Sequence, residues 1–179
     1  LGFSDATEIF VFCSGMASAL AFGAVFVRGG LLMGAARIAF RCWQVYWAHI
    51  GTFVAAAVGM IAVDKLLGTG GDYVSGLELA PFLGEHVREG LLGLVTLTYV
   101  PHYFDILPMY LVILAMIPVV MALAAVDKRY VLAFVAAAWI AATLGLADLP
   151  AEPWGMRSWF FNPFAWQLVF FTGFAFMSG

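Results

Sequence analysis

The chain has 179 residues, of which 64% are hydrophobic and 11% charged, with a formal net charge of −3 and a mean hydropathy of +1.00. A soluble domain carries about 25% charged residues because water must solvate its surface, so this composition excludes a soluble globular domain. With no basic tract it also excludes a nucleic-acid-binding one. The outer surface must face lipid, and the length leaves room for roughly five spans of about 20 apolar residues each.

Five apolar segments follow one another, over residues 5–27, 42–63, 106–126, 130–146 and 164–179. Between the second and third, Gly68 to Gly71 reads as a flexible break, and VREGLLGLVTLTYV (87–100) is apolar but too short to cross a bilayer. The expected fold is all-α, a polytopic transmembrane helix bundle of about five spans plus one interfacial or re-entrant helix. The chain opens at Leu1 without a basic leader and closes at Gly179 inside an apolar run, so residues 1–179 read as part of a longer integral-membrane domain. Trp154, Trp159, Phe160 and Phe161 fit an interfacial aromatic belt.

Orientation follows from the cations. Arg28, Arg37 and Arg41 lie between the first two segments, and Lys128 and Arg129 between the third and fourth, against Lys65, Arg88 and Arg157 on the other side. The positive-inside rule sets the first two groups in the cytoplasm.

Several residues can carry chemistry. Asp5 and Glu8 share one face of the first segment, above a row of small residues, Gly15, Ala19 and Gly23, that admits a close helix neighbour. The two acids either favour the helix dipole or line an outward cavity. Arg37 and Arg41, one turn apart, either mark topology or join Arg28 as a phosphate clamp. His49 lies deep in the second segment and needs a neighbouring-helix partner or a wet cavity. Asp105 and Asn162 precede helices that begin near Pro108 and Pro163, so each caps a helix, contacts a ligand, or both. Trp166 and Gln167 follow Asn162 as further polar-faced candidates. His102 and Asp105 lack a further ligand at suitable spacing, and Cys13 and Cys42 sit in apolar runs, so neither a metal site nor a disulfide is expected.

Four phrases in order carry a family resemblance: GFSDATEIFVFCSGMASAL (2–20), RCWQVYWAHI (41–50), YFDILPMYLVIL (103–114) and FNPFAWQLVFFTGF (161–174). Together they resemble the OpgC family, membrane proteins that succinylate osmoregulated periplasmic glucans in Gram-negative bacteria, within the acyltransferase-3 group. That group's FFxxSGF looks like FVFCSGM here, and its paired arginines look like Arg37 and Arg41. The essential His and Arg of the group's first span would precede Leu1, and none of the three histidines of this chain matches that His.

The resemblance implies a multi-pass protein of the bacterial inner membrane that moves an acyl group, succinyl, from cytoplasmic acyl-CoA to hydroxyls of a periplasmic glucan. It implies no bound cofactor, succinyl-CoA as donor substrate, glucan-synthesis proteins as partners, and activity in the whole protein rather than in this piece alone. In that reading Arg28, Arg37 and Arg41 grip the donor, and His49 binds substrate. Asp5, Glu8 and Asp105 act in catalysis, with Asn162, Trp166 and Gln167 at the sugar. Asp5, Asp105 and Asn162 would converge on one outward cavity. A transporter of a small polar solute is the alternative, and a structural assembly subunit a third reading. No internal repeat supports the transporter.

Overall fold

The computed structural model describes residues 6–77, 79–101 and 103–178. They form seven helices: α1 (Ala6–Leu67), α2 (Asp72–Gly76), α3 (Ala80–Leu83), α4 (Val87–Thr96), α5 (Ile106–Val126), α6 (Lys128–Thr143) and α7 (Pro163–Ser178). The only strand-like pairing among them is one antiparallel bridge, Pro150 to Ser158. α1 and α5 are long and apolar enough to cross a membrane, and only 33% of the most apolar window of each is buried. A soluble core helix of that apolarity would be mostly buried, so the open faces of both suit lipid. The chain divides into two compact units: residues 1–43, 109–147 and 162–179, and residues 44–108 and 148–161.

In the first unit, α1 folds back on itself at Gly30. That residue has φ 72° and ψ −179°, a region essentially reserved for glycine. Ser18 lies 3.4 Å from the Tyr110 hydroxyl, and the Cys42 thiol donates to the Leu111 carbonyl at 3.8 Å. Along an unbroken helix Ser18 and Cys42 would stand roughly 36 Å apart at about 1.5 Å per residue, yet they meet consecutive residues of α5. The ring of Phe26 occupies the space where a side chain at Gly34 would go, closing the hairpin near its tip. Residues 31–41, LLMGAARIAFR, are mostly good helix formers, so the returning arm starts directly after the turn. The connection expected between the first two apolar segments is thus one glycine, not a loop. Arg37 and Arg41 are helical.

The other helices of this unit join end to end with little slack. Asp127 separates α5 from α6 and caps the latter, its carboxylate accepting from the Arg129 N–H at 2.7 Å. This cap explains why α6 begins at Lys128, two residues before the expected segment. α5 has the expected bounds, 106–126, and continues through Pro118. α7 meets α1 backbone to backbone: a Cβ at Gly15 would overlap the Phe170 carbonyl, and one at Gly173 the Phe12 carbonyl. The row of small residues expected on α1 is therefore used for close packing at Gly15 and Ala19, the latter 7% exposed.

The second unit is built around aromatic rings. Phe53, Ala57, Leu79, Phe82, Leu94 and Tyr99 form its core. Phe82 and Tyr99 stack with centroids 5.3 Å apart, and Phe53 meets Phe82 and Phe104 edge-on at 5.2 and 5.3 Å. α4 ends at Leu97, whose left-handed φ of 59° lets the N–H groups of Thr98 and Tyr99 return to the Gly93 carbonyl. At the far end of α1, Asp64 accepts from the Thr69 hydroxyl and from the N–H groups of Tyr73 and Val74, pinning the glycine-rich break. Of the four aromatics expected in a belt, Trp159 is buried with its indole donating to Pro150. Trp154 stacks on His86 with centroids 4.6 Å apart, and only Phe160 is strongly exposed.

Candidate functional site

Three arginines of the first unit occupy one hairpin at three levels. Arg28 precedes the Gly30 turn, while Arg37 and Arg41 lie seven and eleven residues beyond it on the returning arm, all three exposed. The neighbour of Arg41, Cys42, touches Leu111, near the start of α5. Arg41 thus stands about 16 Å along the helix from the turn, level with the first third of a helix long enough to span a bilayer. This corrects the expectation of three arginines grouped in one surface connection. An arginine inside a span costs about 2.5–3.5 kcal/mol on insertion scales and is tolerated where it faces a cavity or partner. Two arginines one turn apart present a paired guanidinium surface, suited to a phosphate or carboxylate.

On α7, Asn162 and Gln167 play different parts. The Asn162 side chain accepts from the Phe164 N–H at 2.9 Å, the expected cap, while its amide donates to the Ala147 carbonyl at 3.0 Å. Gln167 is fully buried. Its amide donates to Val135 on α6 at 2.8 Å and to Phe164 at 3.2 Å, while Oε1 has no partner among the described residues. Gln167 is therefore a tie between α7 and α6 with one acceptor in reserve. Trp166 beside it is half-buried.

In the second unit, His49 is 1% exposed and its Nε2 has no hydrogen-bond partner among the described residues. On its helix face stand Val45 and Phe53, both buried. One turn earlier Tyr46 donates to the Val95 carbonyl at 2.8 Å. A buried imidazole nitrogen without a partner is costly, and such groups persist where a ligand or water completes them.

Asp105 is 4% exposed and accepts from the Phe161 N–H at 3.3 Å, so it ties the start of α5 to the 148–161 segment. Arg157 belongs to the same segment. It pairs with Glu152 at 3.6 Å and donates to the Val100 carbonyl at 3.1 Å, so its charge already has a partner.

Asp5 and His102 lie outside the described residues, and Glu8 is exposed on the first turn of α1. Asp105 and Asn162 fall in different units. Among the described residues no three His, Cys, Asp or Glu side chains come together as a metal site. The sequence reading missed Asp64 as the staple of the α1 terminus. The signal for it was a carboxylate near the end of an apolar helix just before a glycine-rich turn, whose backbone N–H groups need acceptors.

No curated protein and no solved structure matches the chain. The family model of the OpgC protein matches residues 1–179. That span takes in the helical arginine pair, the buried His49, Asp105 and the Asn162 cap together, and by it this chain belongs to the OpgC family.

Proposed function

We propose that the protein of which this chain is part moves a succinyl group from cytoplasmic succinyl-CoA to hydroxyls of a periplasmic glucan, in the bacterial inner membrane. Membership in the OpgC family carries this reading, since it makes the chain O-acyltransferase-like. The two arms of α1, with α5, α6 and α7, make five crossings, and α4 lies in or re-enters the interface. The Gly30 and Asp127 turns face the cytoplasm, where Arg28, Lys128 and Arg129 satisfy the positive-inside rule.

In this scheme Arg37 and Arg41 bind the anionic donor, and His49 holds a polar group of the substrate through Nε2. A base takes the proton of the glucan hydroxyl as its oxygen attacks the thioester carbonyl, and the departing thiolate is protonated to free CoA. Asp5, Glu8 and Asp105 orient that base and the hydroxyl. Asn162 and Trp166 meet the sugar, and Gln167 sets α7 in place for them. Glucan-synthesis proteins supply the acceptor.

Mass spectrometry of periplasmic glucans tests this. Cells with the full-length protein should carry acylated glucans. Asp105→Asn keeps an acceptor for the Phe161 N–H, yet should cut acylation about a hundredfold, the scale of a lost acid–base contribution. Arg41→Lys keeps the charge but not the bidentate fork and should cut it about tenfold. Unacylated glucans with the wild-type protein, together with protein-dependent flux of a small solute, would instead identify a transporter.

A further inference from the structure

In the second unit, residues 152–156 are the tip of a short closed turn. The Ala151 N–H donates to the Arg157 carbonyl at 2.7 Å, and the Ala151 carbonyl accepts from the Val100 N–H at 2.8 Å. The Trp159 N–H donates to the Leu149 carbonyl at 2.9 Å, and the Arg157 guanidinium to the Val100 carbonyl at 3.1 Å. Pro153 rests on α4, 3.1 Å from where a Cβ at Gly93 would lie. The tip is held on both sides, so the groups it carries are fixed before anything binds, which lowers the entropy cost of binding.

Those groups are aromatic surface beside paired charge. Trp154 lies parallel to His86, with centroids 4.6 Å apart and 8° between the rings, and leans on Tyr99 at 5.1 Å. Tyr99 in turn stacks on Phe82. The two inner rings belong to the buried core, whereas Trp154 and His86 are half-buried. The outer rings also keep their polar edges. His86 stands at the N-cap position of α4 without bonding a backbone N–H there. Trp159 gives its indole N–H to Pro150, but among the described residues no hydrogen bond engages the indole of Trp154. The Glu152 carboxylate lies over Gly155, where a Cβ would otherwise stand, and pairs with Arg157 at 3.6 Å.

This combination matches a sugar. A pyranose ring turns C–H faces to an aromatic ring, and its rim of hydroxyls donates to a carboxylate and accepts from a guanidinium. Lipid matches poorly, because Glu85, Arg88 and Glu89 are exposed beside His86 and such charges do not enter hydrocarbon. An anionic donor matches poorly too. Glu85, Glu89 and Glu152 outnumber Arg88 and Arg157 here, and Arg157 is already paired.

We propose that Trp154 and His86, with Glu152 and Arg157 beside them, hold one sugar unit of the glucan acceptor, apart from the unit being acylated. The identity of the sugar polymer rests on the acyl-transfer reading. A remote unit is held equally before and during the reaction, so this site sets KM for the glucan and leaves kcat alone.

Unacylated glucan, purified from cells lacking the protein and fluorescently labelled, tests the assignment. It would be titrated onto full-length protein in detergent, and its acylation from succinyl-CoA followed with the same preparations. Trp154→Ala and His86→Ala should each weaken glucan binding about tenfold, the scale of one aromatic contact, and raise KM by the same factor with kcat unchanged. Trp154→Phe keeps a ring and should recover most of the binding. His86 lies outside the core cluster, so His86→Ala carries the test if Trp154→Ala does not fold. Wild-type binding and KM in the folded variants would overturn the subsite and leave acyl transfer standing. A fall in kcat at unchanged KM, or no glucan binding by the wild-type protein, would overturn it as well. Glucan binding that the variants lose, without acylation by the wild-type protein, would keep the sugar site and overturn acyl transfer.

Discussion

At Gly15 the Phe170 carbonyl stands where any side chain would begin, and at Gly23, two turns along the same face, nothing does. The two glycines should therefore respond oppositely to substitution. Gly15→Val should lower stability by about 3 kcal/mol, the upper range for overpacking, because both neighbours are backbone and cannot move aside. Gly23→Ala should be neutral or slightly stabilising, since alanine is the better helix former. Thermal unfolding in detergent micelles reads both, and equal losses would mean that α7 does not pack on α1 as described.

His49 has a similar asymmetry. Its unpartnered Nε2 adds nothing to the fold, so His49→Leu should leave the unfolding temperature unchanged or raise it, because removing an unsatisfied buried polar group is neutral or stabilising. The same substitution should reduce glucan acylation at least tenfold if Nε2 meets substrate. A destabilised variant with normal acylation would make His49 a structural residue.

Among the elements, the hairpin of α1 depends on one residue. Gly30 has a backbone conformation that side chains rarely adopt, with no steric crowding around it. Gly30→Ala should thus act purely through backbone strain, costing about 1–3 kcal/mol. Its signature would be a lowered unfolding temperature together with loss of proximity between Ser18 and Cys42, read by cross-linking of a Ser18→Cys variant. An unchanged cross-link would mean that the turn does not rest on Gly30.

The hairpin also shows what could be read beforehand. The apolar runs located every long helix, and α5 was bounded correctly because charged residues flank it at Asp105 and Asp127. The cations of residues 28–41 suggested a polar connection, but charge does not oppose helix formation. The intervening Ala, Leu and Met residues carry the helix through them. How sharp the turn is depends on a single φ, which composition does not report.

For the whole molecule, the division into two units sets what the sequence conveyed of the site. Each candidate could be recognised by type: a deep histidine, an arginine pair, an acid ahead of α5 and a capping amide. Their partners could not, because they come from distant segments. Asp105 is held by Phe161, Gln167 by Val135, and the face of His49 is bordered by the Tyr46 bond to Val95. Arg157 is paired with Glu152 in its own segment. Family membership supplies the chemistry that these contacts alone do not name.

The central claim is acyl transfer across a membrane, and proteoliposomes test it most directly. Full-length protein would be reconstituted with succinyl-labelled CoA on the face of the Lys128 turn and unlabelled glucan on the other. The account predicts labelled succinyl esters on the glucan, with free CoA released in equal amount, and near-complete loss of both in the Arg37→Ala, Arg41→Ala double variant. Unlabelled glucan with the donor intact, or intact donor carried across with no ester formed, would contradict it.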